Sequence, residues 1–362
     1  MRRILFILDN LEGGGAERVF VNIANGFVEN GIRVEMLLGR KQGVYLELLH
    51  PSIHVTEVGS THFIGYLRHF RRVFKKSSYS HIFTASHYVS AAAIIVKKSA
   101  QITAKIYQTH HYSHPAKREL RYLKGDLLLK TLYYVTAPFA DKIIAVSNGS
   151  LEWLRRFSHR ELPQALVIYN PVFDDIIFSH AKEEVDFPVD IEAKTILLNV
   201  GRLTEQKDQL TLLKAFNIYR TENPNSILFI LGIGPLKNEL QAFIDQHQLQ
   251  GHVRLEGFHT NPFKWMSKCD LFILSSKYEG FGNVIVEAMA LGKTVVSTDC
   301  PSGPAEILNS EKLGYLCPTQ DPVSMAATIS KALKSPLDET ILRRSAMKYS
   351  VTNIIKQYID IL

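Results

Sequence analysis

The chain has 362 residues, 46% hydrophobic and 21% charged, a balance that excludes a disordered or fibrous protein and leaves room for two domains. The net charge of +7 is uneven: residues 1–180 hold 23 Lys+Arg against 14 Asp+Glu, and the remainder 19 against 21. Cys269, Cys300 and Cys317 lack disulfide or metal-ligand spacing and point to a reducing compartment, and no recognised nucleic-acid motif accompanies the positive charge, so nucleic acid is not an expected partner.

The chain opens with Met1-Arg2-Arg3 and the apolar run Ile4–Leu8, ended by Asp9. That run is too short for a signal peptide and reads as a first buried strand. No apolar run approaches transmembrane length. Gly13-Gly14-Gly15 follows, then Ala16–Glu29 with Val19, Phe20, Ile23, Ala24 and Phe27 at helical spacing. Further strands are expected at Val34–Leu38, Ile82–Ala85, Ile102–Gln108, Lys142–Val146 and Leu166–Tyr169. Between Val34–Leu38 and Ile82–Ala85, Arg68, Arg71, Arg72, Lys75 and Lys76 alternate with Leu67, Phe70, Val73 and Phe74. On a helix they form a cationic face beside an aromatic one, which suits an anionic membrane surface and equally a solvated helix packed on its own domain.

Phe173–Lys194 is polar, contains Pro188 and lacks a clear period, as an inter-domain linker would. Strands resume at Ile196–Val200, Ile227–Leu231, Val253–Leu255, Leu271–Leu274, Thr294–Ser297 and Tyr315–Cys317. Strand–helix alternation in both halves predicts an α/β protein of two doubly wound parallel sheets, with ligands at the carboxyl ends of the strands and in the cleft between domains. The expected domains are residues 1–175 and 190–345. Residues 346–362 form a last helix, with Val351, Ile354, Ile355, Tyr358, Ile359 and Leu362 near helical spacing.

Four strand exits carry residues suited to an anionic, polyhydroxylated ligand. Gly13-Gly14-Gly15 lets backbone amides approach an anion at a helix N-terminus, though it lacks the spaced dinucleotide fingerprint, which disfavours a nicotinamide oxidoreductase. Arg202 and Lys207, in Gly201–Asp208, are two cations able to clamp a diphosphate. Gly232-Ile233-Gly234-Pro235 can shape a flat slot for a base. Glu279-Gly280-Phe281-Gly282-Asn283-Val284-Ile285-Val286-Glu287 places one carboxylate in a glycine turn and another in an apolar helix that Asn283 is expected to cap. A carboxylate on such a helix needs hydrogen-bonding partners, and a polyol's hydroxyls would supply them.

These segments, in this order, resemble the retaining glycosyltransferase family 4, whose members have the GT-B architecture of two facing Rossmann-like domains. The resemblance spans nearly the whole chain. It rests on Gly13–Arg18, Asn199–Arg202 with Lys207, Gly232–Pro235, Gly257-Phe258, and the Glu279-x7-Glu287 pair followed by Ala-Met-Ala-x-Gly. Asp299–Ile307 is similar to a subgroup that builds bacterial surface glycans from hexose or N-acetylhexosamine donors.

The resemblance implies a UDP-sugar donor. Arg202 and Lys207 would bind its diphosphate, Glu279 sugar hydroxyls and Glu287 the ribose. Gly280, Phe281, Gly282 and Asn283 would add backbone amides, and Gly234 and Phe258 would belong to the same donor site. His110 falls where the family places a histidine near the sugar, with His111 competing for that assignment, and Gly14 and Gly15 would approach the phosphates or the reacting centre. The catalytic set is thus Glu279, His110, Arg202 and Lys207.

With no Asp-x-Asp triplet in the sequence, no metal and no cofactor are expected: the two cations and the loop amides would stabilise the leaving diphosphate. Glu279 is a candidate nucleophile for a double displacement, whereas the family is thought to use a same-face transfer in which Glu279 positions the donor. The acceptor would be a growing glycan, expected to be lipid-linked. The expected location is cytoplasmic, with peripheral attachment to the inner membrane surface. The last helix would cross back onto the first domain. A nucleotide-sugar 2-epimerase shares the two-domain layout and is the alternative; the cations and the Glu-x7-Glu pair argue against it and against a non-catalytic binding protein.

Overall fold

The computed structural model describes residues 2–111 except 61 and 77, and residues 131–362 except 133, 159–160, 188–189 and 192–193. The chain divides into two compact units, Met1–Val172 with Val351–Leu362, and Phe173–Ser350. The segment read as a linker therefore belongs with the second unit. It contains a short helix, Ile176–His180, whose end is tied down where Asn261 Nδ2 donates to the His180 carbonyl and Ser267 Oγ to that of Ala181. Pro188 lies outside the described residues.

The first unit is built on β1 (Arg3–Leu8), β2 (Arg33–Leu38), β3 (His54–Glu57), β4 (His81–Thr84), β5 (Lys105–His110), β6 (Lys142–Ala145) and β7 (Ala165–Val167). They pair in the order β3-β2-β1-β4-β5-β6-β7, every pairing parallel. Ile4–Leu8 are at most 2% exposed, because a strand inside a parallel sheet is covered on both faces and so reads as a continuous apolar run. β3 has no such run. It is an edge strand with three exposed residues out of four, and periodicity does not reveal it.

Helix α1 (Gly15–Glu29) packs on one face of this sheet through Val19, Phe20, Ile23 and Phe27. On the other face lie α2 (Phe63–Lys76) and α3 (His87–Ala100). The aromatic side of α2 does not face outward: Tyr66, Phe70 and Phe74 are buried in the core, with Leu67 and Val73 packed against it. Arg68, Arg71, Arg72 and Lys75 remain exposed, with Ile64 beside them. Among the described residues no helix is long and apolar enough to cross a membrane.

The second unit holds β8 (Thr195–Val200), β9 (Ser226–Leu231), β10 (Val253–Gly257), β11 (Leu271–Leu274), β12 (Val295–Thr298) and β13 (Tyr315–Cys317), in the order β10-β9-β8-β11-β12-β13. Both sheets reverse direction beside their first strand, at β1/β4 and at β8/β11. Such a reversal leaves a crevice at the carboxyl ends of the two strands.

The last helix, Val351–Asp360, rejoins the first unit. Ile354, Ile355 and Tyr358 enter its core with Phe27 and Phe83, and the Tyr107 hydroxyl donates to the Ile361 carbonyl at 2.5 Å. Gly26 makes the approach possible: a Cβ there would stand 2.6 Å from Ile355 Cγ1. Tyr358→Ala is expected to lower the stability of the first unit by about 3 kcal/mol, read by urea unfolding; a loss too small to measure would show that the helix packs loosely.

Candidate active site at the β8/β11 crevice

β8 and β11 are hydrogen-bonded neighbours, with Leu197 opposite Leu271 and Leu198 opposite Phe272. Their exit loops, some 70 residues apart in sequence, therefore emerge side by side. Several bonds stitch them together. Ser275 Oγ donates to the Lys207 carbonyl at 2.7 Å, the Lys277 amide to the Gln206 carbonyl at 2.8 Å, and Gln206 Nε2 to the Tyr278 carbonyl at 3.0 Å. Asn199, buried near the end of β8, donates through Nδ2 to the Ile273 carbonyl at 2.8 Å.

At the centre of this stitching, Lys207 Nζ forms an ion pair with Glu279 Oε1. The same oxygen accepts a 2.6 Å hydrogen bond from Ser276 Oγ. Glu279 is 6% exposed, so its partners must come from the protein rather than from bulk water, and these two are among them. Ser276 is itself fixed, its carbonyl accepting from Thr298 Oγ1 at 2.6 Å. The sequence reading missed Ser276; its only signal is its place three residues before Glu279 at the exit of a buried strand.

Arg202 differs from its expected partner. Its side chain is exposed and, among the described residues, has no ion-pair counterpart. Its backbone is well held: the Arg202 carbonyl accepts from Gln209 Nε2 at 3.0 Å. The loop thus offers one cation engaged with Glu279 and one available to solvent.

The glycines at neighbouring exits serve close backbone approach. A Cβ on Gly232 would run into the Gly201 carbonyl oxygen, and one on Gly234 into that of Leu203. The β9 exit therefore braces the Arg202 loop. In that exit Ile233 is 58% exposed, and the β10 exit presents Phe258, 44% exposed. Ile233 was not singled out in the sequence.

The Glu279–Glu287 segment departs from expectation at its cap. Gly282, at φ 102°, is the N-cap of helix Asn283–Ala290, and Asn283 is already the first helical residue. Only glycine takes that left-handed conformation freely, so the turn closes one residue early. Phe281 is 2% exposed and stacks edge-on against Tyr349, ring centroids 5.2 Å apart, so its ring belongs to the core. Glu287 lies in the second turn of the helix and is half-buried, while Ile285, Val286, Ala288, Met289 and Ala290 around it are buried. Cys300 packs behind the site, burial and then the Glu279 charge pushing its thiol pKa up.

The remaining candidates belong to the first unit. Gly14 is the N-cap of α1 at the β1 exit, and the Glu17 carboxylate fills the space over it that a side chain would need. His110, the last residue of β5, is fully buried, stacked flat on Trp153 at 5.3 Å and beside His87 at 5.1 Å. His111 is half-buried, with Nε2 3.1 Å from Thr109 Oγ1. Among the described residues no group of three or more His, Cys, Asp or Glu is gathered for a metal.

Two family models match the chain in tandem: Glycosyltransferase Family 4 over residues 13–175 and Glycosyl transferases group 1 over residues 181–350. The chain belongs to glycosyltransferase family 4, and its two parallel-sheet Rossmann-like units are those of the GT-B fold. It is 46% identical over 116 residues to an uncharacterised glycosyltransferase of Methanocaldococcus jannaschii, covering 32% of this chain and 29% of that one. It is 33% identical over 229 residues to the N-acetylgalactosamine-N,N'-diacetylbacillosaminyl-diphospho-undecaprenol 4-alpha-N-acetylgalactosaminyltransferase of Campylobacter jejuni, covering 63% and 58%. The matched region thus spans less than two thirds of either relative. Among solved structures, Anabaena HepE in complex with UDP and glucose has the same fold, with a TM-score of 0.83 at 21% identity over 99% of each chain.

Two outcomes follow from this geometry. Gly303, at φ 89°, would drive a Cβ into the Phe281 carbonyl oxygen, so Gly303→Ala is expected to cost about 1–3 kcal/mol, measured by urea unfolding. His87 and His111 are held by burial at about 4, below the 6.5 of an exposed imidazole. As pH falls below about 6.5 the unfolded chain takes up protons that the folded one refuses, so stability is full above that pH and declines toward pH 4, by up to about 1.4 kcal/mol per pH unit for each histidine. Thermal melts of the His87→Gln/His111→Gln double variant should show a flatter decline over that range than the parent.

Proposed function

We propose that this protein is a retaining glycosyltransferase that moves a hexose or N-acetylhexosamine from a UDP-sugar to a glycan acceptor, lipid-linked in its natural setting. The observation that carries the proposal is the Lys207–Glu279–Ser276 cluster at the switch point of the second sheet. A crevice of that kind is where a doubly wound sheet takes a nucleotide. The cluster combines a cation suited to phosphate with a carboxylate suited to hydroxyls. The Campylobacter relative, named for an undecaprenol-diphosphate-linked acceptor, supports a lipid-linked acceptor here. HepE, described with UDP and glucose, supports UDP as the carrier.

Lys207 is neutralised by Glu279 while no diphosphate is bound. An arriving diphosphate competes for its ammonium, and exposed Arg202 adds a second charge. Glu279, still held by Ser276, is then released toward the sugar hydroxyls. The anomeric C–O bond to the β-phosphate breaks as the acceptor oxygen bonds to the anomeric carbon on the same face, and the departing phosphate oxygen takes the acceptor's proton. Charge developing on UDP is met by Lys207, Arg202 and loop amides, so the reaction is expected to proceed in chelator. Ile233 and Phe258 offer apolar surface for the uracil, and Glu287 an acceptor for the ribose hydroxyls.

UDP release is to be measured with a panel of UDP-sugars, with and without glycan and polyprenyl-diphosphate-linked acceptors, in EDTA, with the product identified by mass and anomeric configuration. Acceptor-dependent release is expected. Lys207→Ala should lower kcat by about 10²–10³, and Ser276→Ala by less, with the protein still folded. If Lys207→Ala and Glu279→Gln both leave acceptor-dependent turnover unchanged, the assignment fails. UDP release at full rate without acceptor would instead indicate an epimerase or hydrolase.

A further inference from the structure

Helix α2 contains no acidic residue. At 100° per residue, Ile64, Arg68, Arg71, Arg72 and Lys75 fall within an arc of about 100°, along about 16 Å of the axis. All five side chains are exposed, Ile64 at 63%. The opposite arc, Tyr66, Phe70 and Phe74, is buried and fixes the helix in its rotation about its axis. Four cations on one stripe repel one another, and nothing on the helix offsets them.

A second feature lies on the same side of the sheet. α3 and residues 135–139 border an open, mainly apolar groove of about 450 Å³, lined among others by Ile94, Ile95, Val135 and Phe139. Val135 and Phe139 are each 51% exposed. Lys98 Nζ lies 4.6 Å over the Phe139 ring, an apolar surface with a cation on its rim.

We propose that this side of the first unit docks on an anionic lipid bilayer, the α2 cations against lipid phosphates and Ile64, Val135 and Phe139 at headgroup level. Charge complementarity selects the partner: a planar anionic surface can meet the whole stripe at once, with each cation near the surface adding to the attraction. Exposed apolar side chains beside the cations suit a bilayer interface better than a nucleic-acid backbone. Because the α2 aromatics are committed to the core, attachment is electrostatic and salt-sensitive rather than insertion of the helix. The proposal stands apart from the donor-site reading, since none of its residues lies in the second unit.

The test is co-sedimentation of the full chain with phosphatidylcholine vesicles with and without phosphatidylglycerol, over a salt series. Binding is expected only to the anionic vesicles and should fall as salt rises. Arg68→Glu/Arg71→Glu should weaken it by about tenfold or more, with the melting temperature and UDP-sugar binding kept. Phe139→Ser should weaken it less, and Lys237→Glu, an exposed reversal in the second unit, should leave it unchanged. Equal binding to neutral vesicles, indifference to the double reversal, or a preference for duplex DNA over anionic vesicles would overturn the proposal.

Discussion

A buried carboxylate must find donors inside the protein, and those of Glu279 include the Lys207 ammonium and the Ser276 hydroxyl, both on the same oxygen. Removing either would leave a charge largely shielded from water. That requirement explains much of the second unit around it. Lys207 arrives because β8 lies next to β11. Ser276 is presented because β11 ends at Leu274 and its carbonyl is pinned by Thr298. The loop after β12 closes over the back, where the Glu279 amide donates to the Pro301 carbonyl at 3.3 Å and Gly303 lies against Phe281. Three consecutive strands of the sheet thus converge on one charged pair.

The pair also separates the two cations by environment. Lys207 is occupied by Glu279, whereas Arg202 faces solvent, although only four residues lie between them. The division follows from backbone bracing. Gln209 and the β9 glycines fix the loop where Arg202 leaves it, and Ser275 fixes it at Lys207. In the proposed reaction a diphosphate meets the exposed cation first and then competes for the engaged one, so that phosphate binding and release of the carboxylate are linked through one ammonium.

In the first unit the same economy governs the aromatic residues. Phe6, Phe20, Phe27 and Phe83 form the core on the α1 side, and the last helix adds Tyr358 to it. Tyr66, Phe70 and Phe74 do the same on the α2 side. Aromatic rings committed to cores cannot also be presented outward, which is why the α2 surface is purely cationic apart from Ile64. The three cysteines follow suit: all are free and buried, and burial raises the thiol pKa of Cys269 and Cys317 to about 12.

The sequence alone determined what periodicity and local chemistry can carry. The continuous apolar runs fix all the buried strands to within a few residues, because a strand covered on both faces has no alternation to confuse it. The spacing from Glu279 to Glu287 places both carboxylates, and the strand-exit positions of Arg202 and Lys207 follow from the run before them. Tertiary structure alone decided the rest. β3 is an edge strand without an apolar run; the helix Ile176–His180 is too short for a period; Gly282 rather than Asn283 caps its helix because only glycine reaches the required φ. The pairing of Lys207 with Glu279 and the choice of Ser276 depend on which strands become neighbours. Strand order is set by long-range packing between segments some 70 residues apart, and no local pattern encodes it.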